Sequence, residues 1–144
     1  MKKLLSIVAA AMLIASCGTA NKTEQMDYTE AHGYFVRNDA PANSANFYNS
    51  QAAFDSIFGC AAVMGEDGMP TEIDFSRQSV IAVIGSETNC PTKYIPSLLT
   101  QQSDTFCLKY QVEEADSTSY TMKPLLLLVV DKVQDSAFVK LERE

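Results

Sequence analysis

Two uninterrupted apolar segments, residues 79–85 (SVIAVIG) and 124–131 (PLLLLVVD), set the strongest constraint on the fold. Each has the length of a β-strand and carries apolar side chains on both faces of its centre. Alternate side chains of a strand point to opposite sides of its sheet, so a strand with this pattern is buried on both faces. We therefore predict two central strands that other elements cover on both sides.

A short helix is the first candidate for such a cover. Ser50 is a good N-cap residue for a helix over residues 51–58 (QAAFDSIF). In this helix Phe54 and the apolar residues three and four positions later would share one face. Gly59 is typical of a residue that ends a helix.

Partial alternation of apolar and polar residues predicts the remaining strands. They are residues 30–38, a hairpin of 93–101 and 105–112 around a polar turn, and a final strand over 137–141. The Asn- and Ser-rich stretch before the helix is predicted to be a surface loop. One short helix and five or six strands, without regular strand–helix alternation, indicate an α+β domain with an antiparallel or mixed sheet. The same strands are compatible with a partly closed barrel.

The start of the chain has the features of an export signal. Two lysines precede the apolar residues 4–15, a run shorter than the roughly 20 residues that span a bilayer. Residues 14–18 (IASCG) resemble the bacterial lipobox, whose cysteine is lipidated and becomes the mature N-terminus. The resemblance predicts a lipoprotein signal peptide at residues 1–16 and acyl chains on Cys17. A plain secretory signal with an incidental cysteine is the alternative.

Lipidation of Cys17 would fix where the protein resides. Several acyl chains hold a protein stably on a membrane. Gly18, rather than an aspartate, follows the cysteine, which resembles the outer-membrane default in bacteria with two membranes. We therefore expect a lipid-anchored flexible tether over residues 17–29 and one globular domain over residues 30–144, on the outer membrane and facing the periplasm.

The charge balance limits the partners. The chain has 11 Lys and Arg against 18 Asp and Glu, a net charge of −7. Removal of the signal peptide would leave about −9. Such an acidic domain argues against a nucleic-acid partner, and against a second, electrostatic attachment to anionic lipids.

The other three cysteines lie in a compartment where disulfides persist. Cys60 and Cys90 fall in predicted loops and form the candidate disulfide. Cys107 lies in a strand-like run, where cysteine commonly behaves as a small buried hydrophobe. No closely spaced cysteine pair of the zinc-binding type exists.

Few residues carry chemistry. The sole histidine, His32, could pair with a cysteine as a nucleophilic dyad, but no local signature supports this over an ordinary strand histidine. Residues 65–74 (GEDGMPTEID) contain four carboxylates without the spacing of a calcium-binding EF-hand, as is typical of a solvated turn. No nucleophile elbow, phosphate loop or dinucleotide fingerprint is found. We predict no catalytic residues, no metal and no cofactor.

Exposed aromatic residues are the best candidates for binding. Phe47 and Tyr48 lie in the polar stretch before the helix, without an evident helix face to pack on. They are the predicted partner-binding residues. The alternative is that the aromatic residues pack in the core of a domain that lacks tryptophan.

The order of segments resembles the C-terminal domain family of the protease-complex subunit PrcB, small domains of exported bacterial lipoproteins. The resemblance covers roughly residues 47–131. It rests on the helix with Phe54, on residues 73–76 (IDFS) before the strand 80–85 (VIAVIG), and on the proline-led strand that begins KPLLL. Family members often have tryptophan on the helix and glycines after the Ile-Gly strand, which are absent here. The resemblance implies association with an exported protease, without catalytic machinery.

Taken with the lipobox, this predicts a non-catalytic, membrane-tethered domain that binds another protein, as an accessory or modulatory subunit of an envelope protease or complex. The alternative is a lipoprotein that binds a small ligand, a peptide or a glycan. That alternative predicts a concave, aromatic-lined pocket of roughly 300 Å³ or more, whereas protein binding predicts a flatter patch. A hydrolase would place His32 within hydrogen-bond reach of a cysteine or serine.

Overall fold

The computed structural model describes residues 22–61, 68–133 and 135–144. The predicted signal peptide, Cys17 and the first part of the acidic loop lie outside the described residues. The elements in chain order are β1 (Glu24–Gln25), β2 (Thr29–Glu30), β3 (Tyr34–Val36), β4 (Ser44–Tyr48), α1 (Gln51–Ile57), β5 (Phe58–Cys60), β6 (Gln78–Ile84), β7 (Thr92–Gln102), β8 (Thr105–Glu114), β9 (Leu125–Asp131) and β10 (Phe138–Arg143).

The described strands form two four-stranded sheets and a two-stranded ribbon. The central sheet has the order β2-β9-β6-β4 and is antiparallel throughout. The outer sheet has the order β1-β7-β8-β10, in which β10 runs parallel to β8. The ribbon pairs β3 with β5. The α+β class with mixed sheets is confirmed, and the described strands do not close into a barrel.

The central sheet is the middle layer of the domain, as the two apolar segments predict. Alternate residues of β6, such as Val80 and Ala82, face α1 and the ribbon, where Phe54 and Phe58 are buried. The residues between them face the outer sheet, where they pack with a cluster that contains Leu99, Phe106 and Leu108. Both faces of β6 and β9 are therefore buried, and the prediction of two central strands is confirmed.

The helix begins where the sequence predicts and ends earlier. The Ser50 side chain accepts a hydrogen bond from the backbone N–H of Ala53 at 3.3 Å and caps the first turn. The chain leaves the helix at Phe58, whose backbone is extended, and continues directly into β5. Gly59 is a strand residue, so its assignment as the helix stop is wrong. Residues 58–60 pair with β3 as a strand and therefore do not extend the helix by another turn.

Two further expectations need correction. The predicted strand over residues 30–38 is divided between β2 and β3, because Gly33 has a left-handed backbone (φ 83°) and directs β3 into the ribbon. The segment predicted as a surface loop contains β4, which pairs with β6 along its full length. The sequence of β4 shows no clear apolar–polar alternation, because Asn and Ser side chains lie at the half-covered edge of the sheet.

The domain also begins earlier than the predicted boundary. Glu24 and Gln25 pair with β7 in the outer sheet, and Met26 and Tyr28 pack against the core between the sheets. The second half of the predicted tether therefore belongs to the folded domain. In the described part of the chain, no helix has the length and hydropathy needed to cross a bilayer.

Candidate functional site

The two aromatic residues predicted to bind a partner are core residues. The Phe47 ring stacks on Phe106 with centroids 5.6 Å apart. Tyr48 is only 9% exposed and lies edge-on to Phe58, 5.5 Å away. Their placement in an exposed loop is wrong, because β4 directs one ring to each face of the central sheet. The alternative of core packing holds for both residues.

The predicted disulfide does not form in the structure. Cys60 is an exposed free thiol in β5. Cys90 is a half-buried free thiol between β6 and β7, where its sulfur donates to the Asn89 side chain at 3.7 Å. Cys107 is also free in β8, and burial raises the pKa of its thiol, with a smaller contribution from the charge of Glu142. The three thiols thus lie on separate elements, the first in the ribbon and the last in the outer sheet.

The histidine and the acidic loop show no catalytic arrangement within the described residues. His32 is exposed, and its backbone N–H donates to the Thr71 hydroxyl at 2.9 Å. Across residues 22–61, 68–133 and 135–144, no hydrogen bond joins its imidazole to a cysteine or serine. Asp74 accepts bonds from Ser76 and, at 3.1 Å, from Arg77. These bonds, those from Ser76 first, lower the pKa of the Asp74 carboxyl. The side chain shapes the turn before β6.

An open groove lies along β3, and we call it the β3 groove. Its volume is about 390 Å³. One wall is β3 with Asn38, and the other is formed by the chain before β9 together with the loop after β6. The residues of the second wall are Glu87, Thr121, Met122, Lys123 and Leu125.

A turn at Gly33 positions the first wall. A Cβ atom at Gly33 would lie 2.6 Å from the Pro70 backbone, so only glycine fits beside this segment. The next residue, Tyr34, donates its hydroxyl to the Thr71 carbonyl at 2.6 Å and packs edge-on against Phe54. Burial is the main cause that raises the pKa of the Tyr34 phenol, which therefore remains a neutral donor.

The ladder of the ribbon determines which backbone groups face the groove. The Arg37 N–H donates to the Ile57 carbonyl, and the Ala61 N–H donates to the Gly33 carbonyl, both toward β5. In an antiparallel pair such residues alternate with residues whose N–H and C=O point away from the partner. The N–H and C=O groups of Tyr34 and Val36 therefore point away from β5, and no described strand pairs with them on that side.

The second wall is held by bonds between two loops. Thr88 and Met122 exchange backbone hydrogen bonds of 2.9 and 2.8 Å. The Thr121 hydroxyl donates to the Glu87 carboxylate at 2.7 Å. Lys123 reaches across the groove, and its Nζ donates to the Asn38 carbonyl at 3.4 Å. Among the described residues, no carboxylate forms a salt bridge with this ammonium group.

One large exposed apolar side chain lines this groove, and two others are chain neighbours of residues at or near it. Phe35 is 48% exposed and lies over Gly59, where a Cβ atom would come within 2.5 Å of its ring. Tyr120 and Met69 are also exposed, beside the groove residue Thr121 and beside Pro70 of the Gly33 turn. Phe138, on β10, is the other large exposed apolar residue in the described part of the chain. Such clustering is typical of an interaction surface.

A larger depression of about 600 Å³ lies over the turn before β6. It is lined by Gln51 and residues 72–78, of which Asp74 and Arg77 bond to each other. The polar groups at its centre are already committed to the turn. The β3 groove is the better site, because it combines unpaired backbone groups, an unneutralised cation and an exposed aromatic ring.

The sequence gives weak signals for this site. Gly33 followed by three apolar or aromatic residues suggests a kinked strand, and Phe35 then points away from the core. Lys123 and Asn38 lie 85 positions apart, so no local pattern connects them. The predicted site residues Phe47, Tyr48 and Cys90 do not line the groove.

No protein-family model matches the chain, and neither a curated protein nor a solved structure matches it. The resemblance to the PrcB domain family stays a prediction.

Proposed function

We propose that this protein is an exported lipoprotein, anchored through Cys17, whose non-catalytic domain binds another exported protein in the β3 groove. The partner is an envelope protease or a protease complex, for which the domain acts as an accessory or modulatory subunit. The observation that carries the binding role is the β3 groove itself, where the exposed Phe35 lies beside unpaired backbone groups. The protease as partner rests on the resemblance to the PrcB family.

The length of the anchor limits where the partner can be. Residues 18–23 separate Cys17 from β1. Even a fully extended chain of this length reaches only roughly 25 Å. A domain held this close to the membrane meets partners that are themselves at the membrane surface. The domain can therefore reach a complex at the membrane surface.

One observation favours the small-ligand alternative. The β3 groove, at about 390 Å³, is within the range of small-molecule sites, which start near roughly 300 Å³. Its lining is mixed, with the Glu87 carboxylate and the Lys123 ammonium beside Phe35. A short peptide fits this mixture of charged, apolar and backbone groups better than a glycan, which is usually held by several aromatic faces.

Crosslinking in native membranes tests the proposal. The lipidated protein is crosslinked, captured by an affinity tag, and its partners are identified by mass spectrometry. We expect an exported protease or a component of its complex. Phe35→Ala should remove this partner, whereas Phe138→Ala, which truncates a still more exposed ring on β10, should retain it. Cys17→Ala should lower the yield by releasing the domain from the membrane.

Two results would contradict the proposal. The first is a partner list that is the same for Phe35→Ala and the unmodified protein. The second is turnover of a substrate by the purified protein that depends on His32 or a cysteine. Capture of a small molecule, released by Phe35→Ala and detected by native mass spectrometry, would instead support the small-ligand alternative.

A further inference from the structure

Among the described strands, β3 has an unpaired edge that opens into the β3 groove. Natural edge strands are blunted by charges, by proline or by being very short. β1 and β2 have two residues each, and β10 carries Lys140 and Glu142. β4 lies beside β10. β3 (YFV) and its partner β5 (FGC) have three residues each and carry neither a charge nor a proline. Of these two strands, β3 is the one that lines the groove.

The groove offers one cation to an incoming chain. Among the described residues, the Lys123 ammonium bonds only to the Asn38 carbonyl, at 3.4 Å. The Glu87 carboxylate on the same wall accepts the Thr121 hydroxyl at 2.7 Å and keeps its negative charge. An acidic side chain would take up Lys123, and this would release the Asn38 carbonyl to accept an N–H of the same incoming chain. The groove charges therefore fit a segment that places an acidic side chain opposite Lys123 and no acidic side chain beside Glu87.

We propose that the β3 groove binds an extended segment of a partner protein, with an acidic side chain opposite Lys123, as an added strand on the edge of β3. The N–H and C=O groups of Tyr34 and Val36 would form the ladder, with the Asn38 carbonyl as its last acceptor. The Lys123 ammonium pairs with a carboxylate of the segment, and Phe35 contacts an apolar residue beside it. Strand addition uses backbone bonds for affinity and side chains for selectivity. This inference rests on the proposed function and specifies its mode of recognition.

Peptides test the proposal directly. A library of random short peptides is selected on the full lipoprotein in detergent, and a selected peptide is resynthesised with each backbone nitrogen methylated in turn. We expect enrichment of peptides with an acidic residue. Methylation should weaken binding about tenfold or more at every second residue, and about twofold or less at the residues between, because only alternate N–H groups face β3.

Matched variants test the same bonds from the side of the protein. Val36→Pro removes the N–H that faces the groove, whereas Val36→Ala shortens the side chain and keeps this N–H. We expect Val36→Pro to raise the Kd about tenfold relative to Val36→Ala. Lys123→Met should abolish the preference for an acidic residue, and Lys93→Met, on the exposed side of β7, should leave it unchanged.

The outcomes separate this inference from the proposed function. Partner capture that depends on Phe35, combined with equal effects of methylation at all positions, would overturn strand addition and leave protein binding intact. Failure to enrich any peptide above empty beads would also overturn strand addition. Loss of partner capture altogether would contradict the proposed function. The methylation series uses the unmodified protein, so a folding defect of Val36→Pro does not affect it.

Discussion

The central sheet and the β3–β5 ribbon both contain strongly apolar strands, but these strands differ in how they are paired and buried. In the central sheet, the apolar strands β6 and β9 are paired on both edges and buried on both faces. In the ribbon, β3 is equally apolar but has one unpaired edge and an exposed ring at Phe35. In the central sheet, pairing and burial of the apolar strands stabilise the fold. In the ribbon, one edge of β3 is unpaired and Phe35 is exposed, so hydrogen-bonding groups and apolar surface are available to a partner.

The largest effect is expected at the centre of the molecule. Leu128 in β9 is fully buried between the sheets. Leu128→Ala should lower the free energy of unfolding by about 2–5 kcal/mol, because it leaves a cavity in a close-packed layer. Urea unfolding followed by circular dichroism measures this change. A loss of less than about 0.5 kcal/mol, as expected for a surface substitution, would contradict the assignment of the central sheet as the core.

The next effect concerns the junction between the central sheet and the helix layer. The half-buried Lys132 donates to the carbonyls of Asn49, just before α1, and of Phe75 at 2.8 Å. Lys132→Met keeps the apolar stem but leaves both carbonyls without this donor, which should cost about 1–3 kcal/mol. Lys140→Met, on the exposed face of the outer sheet, is the control and should change the stability by less than about 0.5 kcal/mol. Equal losses would contradict a structural role of Lys132.

Substitutions at two glycines separate the effect of the backbone conformation beside the ribbon from the effect of the Phe35 side chain. Gly33→Ala forces a side chain into a left-handed conformation and against the Pro70 backbone, at a cost of at least about 1–2 kcal/mol. Gly59→Ala meets only the ring of Phe35, which can rotate away. Hydrogen exchange should show faster exchange across the ribbon for Gly33→Ala alone. Gly59→Ala should keep the fold and weaken partner capture, because Phe35 is displaced.

A smaller effect is expected at alkaline pH. Burial raises the pKa of Tyr34 in the folded protein above its ordinary value of 10.0. Its contribution to stability is therefore complete below pH 10.0 and is lost as the pH rises through the folded-state pKa. Tyr34→Phe should lower the stability by about 0.5–1.5 kcal/mol at neutral pH through loss of the bond to Thr71, and should reduce the alkaline loss. Tyr48, Tyr94 and Cys107, whose pKa values are also raised by burial, contribute in the same direction.

The reactivity of two thiols compares the ribbon with the outer sheet in the unmodified protein, without any substitution. Cys60 in the ribbon is exposed, whereas Cys107 in the outer sheet is half-buried and its pKa is raised by burial. Alkylation at neutral pH followed by peptide mass spectrometry should label Cys60 before Cys107, because the thiolate is the reacting form. Recovery of a peptide pair joined by Cys60 and Cys90 under non-reducing conditions would contradict the structure and support the original disulfide prediction.

Local patterns were sufficient wherever a segment carries its own signal. The hairpin of β7 and β8 was predicted, because alternation on each side of a polar turn is a local feature. Ser50 was recognised as a cap for the same reason. The strand β4 was missed, because its Asn and Ser side chains lie at a half-covered edge and resemble loop residues. The ribbon was missed, because β5 follows the helix without a break and its partner precedes it by more than twenty positions in the chain.

The sequence by itself determined the buried middle layer, the helix start and the hairpin, since each depends on side chains that are neighbours along the chain. The tertiary structure alone decided that Phe47 and Tyr48 pack against the core, that Phe35 is exposed and that no described strand pairs with the free edge of β3. The physical reason is that burial and strand pairing are set by distant segments. Lys123 and Asn38 become neighbours only after the sheets have packed, and the groove between them is a product of that packing.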